Sequence, residues 1–185
     1  NFYLAQDIYW HNKAKLPTPA QWVSVKRIRL KDAVDNIWWL SKTENPKADN
    51  SKILKHYSSS MQRLLKSGYN AGLRPSGHNI STKFSKDNKG AIRPNFLEFS
   101  NTHSQTRYLR LCKKFGIAPH PARFPIELAM FFIEFLTEEG DLVLDPFAGS
   151  NTTGEAAEKL NRRWLSIEKN EEYVKGSKLR FFDTL

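Results

Sequence analysis

A short apolar run, Leu142-Val143-Leu144, leads into Asp145-Pro146-Phe147-Ala148-Gly149-Ser150-Asn151-Thr152-Thr153-Gly154. A helix-favouring stretch follows, with Ala156, Ala157 and Leu160, and then a second run, Trp164-Leu165-Ser166-Ile167. This strand–loop–helix–strand order constrains the fold more than any other feature. Strands joined through a helix are parallel, with a right-handed crossover. The chain is therefore expected to be α/β. Thr152-Thr153-Gly154-Glu155 matches a capping box, S/T-x-x-E, at the start of the crossover helix.

Other elements follow from the same rules. Pro125 suits a first helical position, Ile126, Ala129, Met130, Ile133 and Leu136 recur at helical spacing, and Gly140 marks a stop. Glu171 to Phe182 reads as a last helix. Near the N-terminus, Tyr3–Trp10 and Val34–Leu40 are rich in β-branched and aromatic residues and read as strands. Leu16-Pro17-Thr18-Pro19 between them is extended, and Val23, Val25, Ile28 and Leu30 suggest a further short strand. Glu44-Asn45-Pro46-Lys47 closes this part. No internal repeat or low-complexity tract occurs.

The 185 residues suit one domain, and 39% apolar and 12% aromatic residues are enough to bury a core. Lys and Arg total 29 against 19 Asp and Glu, a net charge of +10, which predicts a polyanionic partner: nucleic acid first, an anionic membrane surface second. Residues 50–118 hold 13 basic and two acidic residues, a net +11, while the flanks sum to −1. This middle is rich in Ser, Asn, Gly and Thr, with loop sequences such as Ser67-Gly68, Arg74-Pro75-Ser76-Gly77 and Asn88-Lys89-Gly90. Aromatics including Tyr57, Tyr69, Phe84, Phe96 and Tyr108 are interleaved. Cations neutralise phosphates, polar side chains read base edges and aromatics stack or wedge. The single cysteine, Cys112, excludes an internal disulfide and reads as a small buried residue in a helix, and the default setting is reducing and intracellular. The longest apolar run, Ala129 to Phe135, is broken by Glu134 and is far too short for a bilayer. The five histidines show no ligand spacing, so no metal is expected.

A glycine-bearing loop between a strand and a helix N-terminus brings backbone close to a ligand. A phosphate-binding loop needs Lys where Glu155 stands, and a dinucleotide fingerprint needs Gly where Asn151 stands. Asp-Pro-Phe-x-Gly-Ser-x-Thr-Thr at a strand end instead resembles motif I of the S-adenosylmethionine-dependent amino-methyltransferases of DNA. Their glycine at the Asn151 position is replaced by a residue that tolerates left-handed backbone, so the turn can survive. His120-Pro121-Ala122-Arg123-Phe124-Pro125 resembles motif X, and Leu165-Ser166-Ile167-Glu168-Lys169-Asn170 resembles motif II. Asp7-Ile8-Tyr9-Trp10-His11-Asn12-Lys13 resembles motif VIII with His11 inserted, and Ala33–Thr43 resembles the paired strand after it. This order is similar to the β arrangement, and in detail to PvuII-type N4-cytosine methyltransferases of restriction–modification systems.

The resemblance implies a Rossmann-like class I methyltransferase sheet. It divides the chain into 1–49 as catalytic-domain strands, 50–118 as an irregular and helical target-recognition segment, and 119–185 as the cofactor part. It implies S-adenosyl-L-methionine held by Asp145, Pro146, Phe147, Ala148, Gly149, Ser150, Asn151, Thr152 and Thr153, by Pro121, Arg123 and Phe124, and by Glu168 and Lys169. Glu168 would pair with the ribose hydroxyls, Phe147 would shelve the adenine or methionine, and Arg123 would meet the methionine carboxylate. Trp10, Asn12 and Lys13 are candidates for a base pocket. Arg74, His78, Asn79, Lys83, Lys86, Lys89, Arg93 and Arg107 are candidates for DNA contact, the lysines on phosphates. Asn70, Ser76, Thr102, His103 and Gln105 add base-reading chemistry.

These enzymes need an Asp/Asn/Ser-Pro-Pro-Tyr/Phe tetrapeptide, and no Pro-Pro pair occurs in this sequence. In the β arrangement it precedes motif VIII, so no catalytic residue is assigned here, and the chain is expected to be the C-terminal part of an enzyme, inactive alone. Implied partners are double-stranded DNA, the upstream remainder of the enzyme and, as a system partner, a cognate restriction endonuclease, with no membrane. The implied setting is the bacterial cytoplasm, at the nucleoid. N6-adenine methylation, a non-catalytic DNA-binding module, and a methyltransferase for a small molecule or protein stay open as alternatives.

Overall fold

The computed structural model describes residues 1–68, 72–80, 86–101 and 106–184. The strands are β1 (Tyr3–His11), β2 (Val34–Ser41), β3 (Gly72–Leu73), β4 (Asn79–Ile80), β5 (Phe96–Leu97), β6 (Leu142–Asp145) and β7 (Arg163–Ser166). The α-helices are α1 (Ser59–Ser67), α2 (Arg107–Phe115), α3 (Ile126–Leu136), α4 (Thr152–Lys159) and α5 (Glu171–Ser177). The chain divides into two compact units, Asn1–Ala48 with Asn95–Leu185, and Asp49–Pro94.

In the larger unit β1 and β2 pair antiparallel from Tyr3↔Ser41 to His11↔Val34, with a bulge between Leu4 and Gln6. The alternation expected of strands is present: Ile8 and Trp10 are buried while Tyr9 between them is exposed. β5 adds a parallel partner, Tyr9↔Phe96 and Trp10↔Leu97. Residues 95–118 therefore belong with the strands and helices of the larger unit, not with the basic segment, and the expected boundary at 118 moves to 94.

The strand expected over 23–30 does not form. Gln21–Val25 is one wide helical turn, and Lys26 N donates to Gln21 O at 3.0 Å. Arg27 then takes a positive φ of 54°, which breaks any extended run. Among the described residues no neighbouring strand pairs with this stretch.

The second half of the unit follows the expected strand–helix–strand plan. β6 and β7 are parallel from Leu142↔Arg163 to Asp145↔Ser166, with α4 as the crossover. Ala156 and Ala157 of α4 are fully buried against Ala129 and Ile133 of α3, with Val143 and Trp164 packed on the cluster. Small residues on α4 let the two helices approach closely. α3 starts one place later than expected, with Pro125 at its N-cap, and it ends at Leu136, where Thr137 bonds back to Ile133 O. Gly140 lies beyond it in the turn before β6. The last helix is shorter than expected: α5 stops at Ser177 and a tighter 3₁₀ turn runs over Lys178–Thr184. That turn buries Leu179 against Tyr108 and Cys112 of α2.

The other face of the β6–β7 pair is open. Leu142, Leu144, Leu165 and Ile167 are each more than half exposed. An apolar cavity of about 390 Å³ is lined by Ile37 of β2, Phe132 and Leu136 of α3, and Val143 of β6.

The smaller unit is built from short pieces. Asp49 caps a 3₁₀ turn, Ser58 caps α1, β3 and β4 form a hairpin, and Lys55 bridges to Ala91. No helix among the described residues is long and apolar enough to cross a membrane.

Candidate functional site

The loop after β6 is laced from within. Asp145 uses both carboxylate oxygens inside it: Phe147 N donates to one at 3.0 Å and Thr153 Oγ1 to the other at 2.6 Å. Two main-chain bonds fasten the loop to the end of β7, Ile167 N to Asp145 O at 2.9 Å and Ala148 N to Ile167 O at 3.0 Å. Gly149 sits at φ 53°, and a Cβ there would lie 3.2 Å from the His120 ring. Any side chain would meet both the backbone strain and the ring. The imidazole is itself fixed. Its Nδ1 lies 2.6 Å from the Ala122 carbonyl, which can only accept, so Nδ1 carries the proton. Its ring packs edge-on to Tyr173 at 4.3 Å.

Glu168 closes the turn 19 residues after Gly149, whose N–H donates to Oε2 at 2.8 Å. Asn170 N donates to Oε1 at 2.8 Å. The main-chain N–H groups of Asn170 and Gly149 hold this carboxyl below the ordinary range, helped by nearby His120, so it is an anion at neutral pH. A carboxylate has about four lone-pair sites, so acceptor capacity remains for a hydroxyl group.

Asn151 does what the sequence left to Thr152. It holds φ 58° and ψ 44°, and its Oδ1 accepts from Gly154 N at 3.0 Å as the N-cap of α4. The expected capping box is thus displaced by one residue: Thr152 is the first helical residue. Ser166 Oγ of β7 also donates to Asn151 Oδ1, at 2.7 Å. A Cβ on Gly154 would collide with the Asn151 amide, so glycine is required there by close approach. The left-handed turn expected at Asn151 is present.

Glu155 and Arg180 form the part that sequence reasoning missed. Arg180, with 8% of its side chain exposed, reaches across the loop: Nε donates to Ser150 O, and one terminal nitrogen to Ser150 Oγ at 2.8 Å and Thr152 Oγ1 at 2.9 Å. The other terminal nitrogen pairs with Glu155 at 2.5 Å. The guanidinium also lies over the Tyr108 ring at 4.4 Å. Burial pushes the Glu155 carboxyl up, but Lys159 and Arg180 outweigh it and hold it below its usual value. No motif marks Arg180, which lies 30 residues from Ser150 in a stretch read as ordinary helix.

Two cavities flank the loop. One, of about 230 Å³, is lined by Ala148, Gly149, Asn151, Ser166, Glu168 and Phe181. The other, of about 500 Å³, includes Pro121, Arg123, Phe124, Thr152, Glu155 and Arg180. Arg123 bonds to His120 O and lines this second cavity. Phe147 is 88% exposed, and Lys169 is exposed beside Glu168. The structure thus gathers the predicted loop, Pro121–Phe124 and Glu168–Lys169 around one region, in which Pro146 is an exposed turn residue.

The base-pocket candidates separate. Trp10 is buried and its indole N–H is spent on Phe99 O at 2.9 Å, a packing role. Asn12 takes the N–H of Ala14, and Lys13 lies 3.0 Å from Glu98 at the exposed end of β1. Among DNA candidates, His78 and Asn79 are exposed on the β3–β4 hairpin beside half-buried Arg74, and Lys86 and Lys89 are exposed. Two depart from expectation. Arg93 ties its guanidinium to Ile53 O at 2.7 Å, bracing the smaller unit. Arg107 belongs to the larger unit and lines the cavity beside Arg123. Asn70, Lys83, Thr102, His103 and Gln105 lie outside the described residues. Among the described residues no His, Cys, Asp and Glu cluster suited to a metal occurs.

Comparison with known proteins gives a consistent picture. Residues 1–179 match the N6/N4 methyltransferase family described as DNA methylase. The chain is 52% identical over 185 residues to the type II methyltransferase M.PvuII of Proteus hauseri, covering 98% of this chain and 55% of that one. It is 38% identical over 92 residues to the type II methyltransferase M.HpaI of Haemophilus parainfluenzae, covering 50% of this chain and 27% of the relative. A solved PvuII DNA methyltransferase (cytosine-N4-specific) superposes with a TM-score of 0.74 at 44% identity, over 97% of this chain and 51% of the other. The M1.HpyAVI–SAM complex superposes at 0.55 with 20% identity over 97% of this chain and 63% of that one, which speaks for the α/β fold. The chain thus spans about half the length of M.PvuII.

Proposed function

The chain belongs to the DNA methylase family, and from that premise we propose that it is the cofactor-binding and target-recognition part of a cytosine-N4 methyltransferase acting on duplex DNA in a restriction–modification system. The observation that carries this reading is the Gly149–Glu168 pairing: a close-approach glycine and an anionic carboxylate with unused acceptor capacity meet at the ends of adjacent parallel strands. That donor set fits the ribose of a nucleoside cofactor. The relative named for cytosine-N4 specificity supports N4 over adenine N6.

S-adenosylmethionine, which the Asp145–Gly154 loop and Glu168 would hold, would supply an electrophilic sulfonium methyl group for the exocyclic amine of a cytosine, with the thioether as leaving group and the amine proton passing to solvent. The chain's own residues work by positioning. Glu168 accepts from ribose hydroxyls. Asp145 and Asn151 hold the loop in the shape that brings Gly149 backbone to the cofactor. Arg123 in the second cavity is suited to a carboxylate, and exposed Phe147 to a flat or apolar face. Phosphate and base contacts fall to the Asp49–Pro94 unit, where basic residues number nine against two acidic.

The Pro-Pro tetrapeptide that accepts from the target amine is supplied in this reading by residues outside this sequence. The open face of β6–β7 and the apolar cavity between β2 and β6 support that, since both are uncovered apolar surface that further elements of the enzyme would bury. The working partners are then duplex DNA and that remaining part, with a restriction endonuclease sharing the system, in the bacterial cytoplasm and on the nucleoid.

Calorimetric titration with S-adenosylmethionine tests the assignment. Glu168→Ala and Asp145→Ala should each weaken binding by about tenfold or more, because a charged hydrogen-bonding group is worth roughly 1.5–3 kcal/mol. Unchanged affinity in both variants rejects the cofactor site.

A further inference from the structure

The excursion between β1 and β2 carries a cationic surface that the cofactor site does not use. Residues 12–33 hold six Lys or Arg and a single acid, Asp32. Three of the cations are engaged: Lys13 with Glu98, Lys15 with Asp32 and Asp35, and Lys31 with the main-chain oxygens of Lys13 and Lys15. Lys26, Arg27 and Arg29 form no ion pair among the described residues.

Two of these free cations are held in place by one ring. Lys26 Nζ lies 4.2 Å and Arg29 Cζ 4.6 Å from the centre of the Trp22 ring. The backbone is closed beneath them, with Ile28 N donating to Trp22 O and Asp32 N to Thr18 O, each at 3.0 Å. Such a surface has little side-chain freedom left to lose on binding. Val25, Ile28 and Leu30 stand 68%, 66% and 94% exposed among the cations. A solvated charged face mixes signs, whereas this one sets like charges side by side, a repulsion that a polyanion relieves.

We propose that the Trp22-centred surface, with Lys26, Arg27 and Arg29, is a second contact for the phosphate backbone of duplex DNA, separate in sequence from the Asp49–Pro94 unit. The proposal rests on the reading of the chain as part of a DNA methyltransferase. Its cations position the duplex without reading sequence. An anionic membrane also attracts cations with apolar neighbours, but membrane-surface helices gather the two kinds on opposite faces. Here they alternate along an irregular segment.

The test is duplex affinity of the full chain against salt concentration, for wild type and the triple variant K26Q/R27N/R29Q. Asparagine is chosen at 27 because it tolerates the φ of 54°. Each phosphate contact contributes about −0.9 to the log–log slope, so the triple variant should bind with a slope shallower by roughly 2–3. The loss should be equal on cognate and unrelated duplexes, with S-adenosylmethionine affinity unchanged. R27K/R29K should keep the wild-type slope, and R29Q alone should lose about 0.9, which serves if the triple variant unfolds. Wild-type duplex binding with an unchanged slope in the variants overturns this proposal alone. A wild-type chain that binds no duplex overturns it together with the methyltransferase reading. Loss of binding to phosphatidylserine-containing vesicles, with the DNA slope unchanged, assigns the surface to a membrane and overturns the proposal.

Discussion

Asn151 occupies a backbone conformation that costs most L-residues roughly 1–2 kcal/mol, and it does so while capping a helix. Its Oδ1 serves two donors, Gly154 N and Ser166 Oγ, so one side chain ties the loop to both α4 and β7. Replacement by alanine keeps the strained φ and removes the cap, which is worth about 1 kcal/mol. It also strands the Ser166 hydroxyl. Asn151→Ala should therefore lower stability by about 2–3 kcal/mol. Asn151→Gly relieves the φ and gives up only a few tenths of a kcal/mol at the cap position, so it should cost about 1 kcal/mol or less. Urea unfolding at constant m-value separates the two, and equal losses would refute the left-handed-cap account.

At the scale of elements, local rules carried some pieces and not others. The strands β1 and β2, rich in β-branched and aromatic residues, and the β6–loop–α4–β7 unit were legible because each is decided by neighbours in sequence. The 19-residue spacing singled out Gly149 and Glu168 as members of one candidate site, but the hydrogen bond between them was not legible. The stretch after Trp22 misled, since alternating apolar residues suggest a strand but nothing pairs with it, and Arg27 turns the chain. The C-terminal 3₁₀ turn was illegible for a different reason. Its course is set by Tyr108, Cys112, Ser150 and Glu155, all distant in sequence. That turn acts on the loop through Arg180, which is a positioning residue in this scheme. Arg180→Met should weaken S-adenosylmethionine binding about tenfold and leave duplex affinity unchanged. Arg180→Lys should restore only part of the loss, because a single ammonium cannot reproduce the fork that holds Ser150, Thr152 and Glu155 together. Titration of both ligands checks this, and full rescue by lysine would show that charge alone suffices.

At the scale of the whole molecule, the net charge of +10 is unevenly spread. The Asp49–Pro94 unit holds nine basic and two acidic residues, the 12–33 excursion six and one, and all the rest 14 and 16. The cofactor region is thus close to neutral, and the excess of cations over acids lies in those two segments. Replacing Asp49–Pro94 by a flexible Gly/Ser linker should leave S-adenosylmethionine binding intact while abolishing discrimination between cognate and unrelated duplexes. Loss of cofactor binding in that variant would show that the units depend on each other. The Arg180 brace also has a consequence in time. A ribosome delivers the chain from its N-terminus, so the Asp145–Gly154 loop emerges before its brace, which follows Ser150 by 30 residues. During synthesis the nascent loop lacks its clamp until the Lys178–Thr184 turn has cleared the exit tunnel. If the loop holds cofactor as proposed, it cannot do so in its braced form before Arg180 has been added.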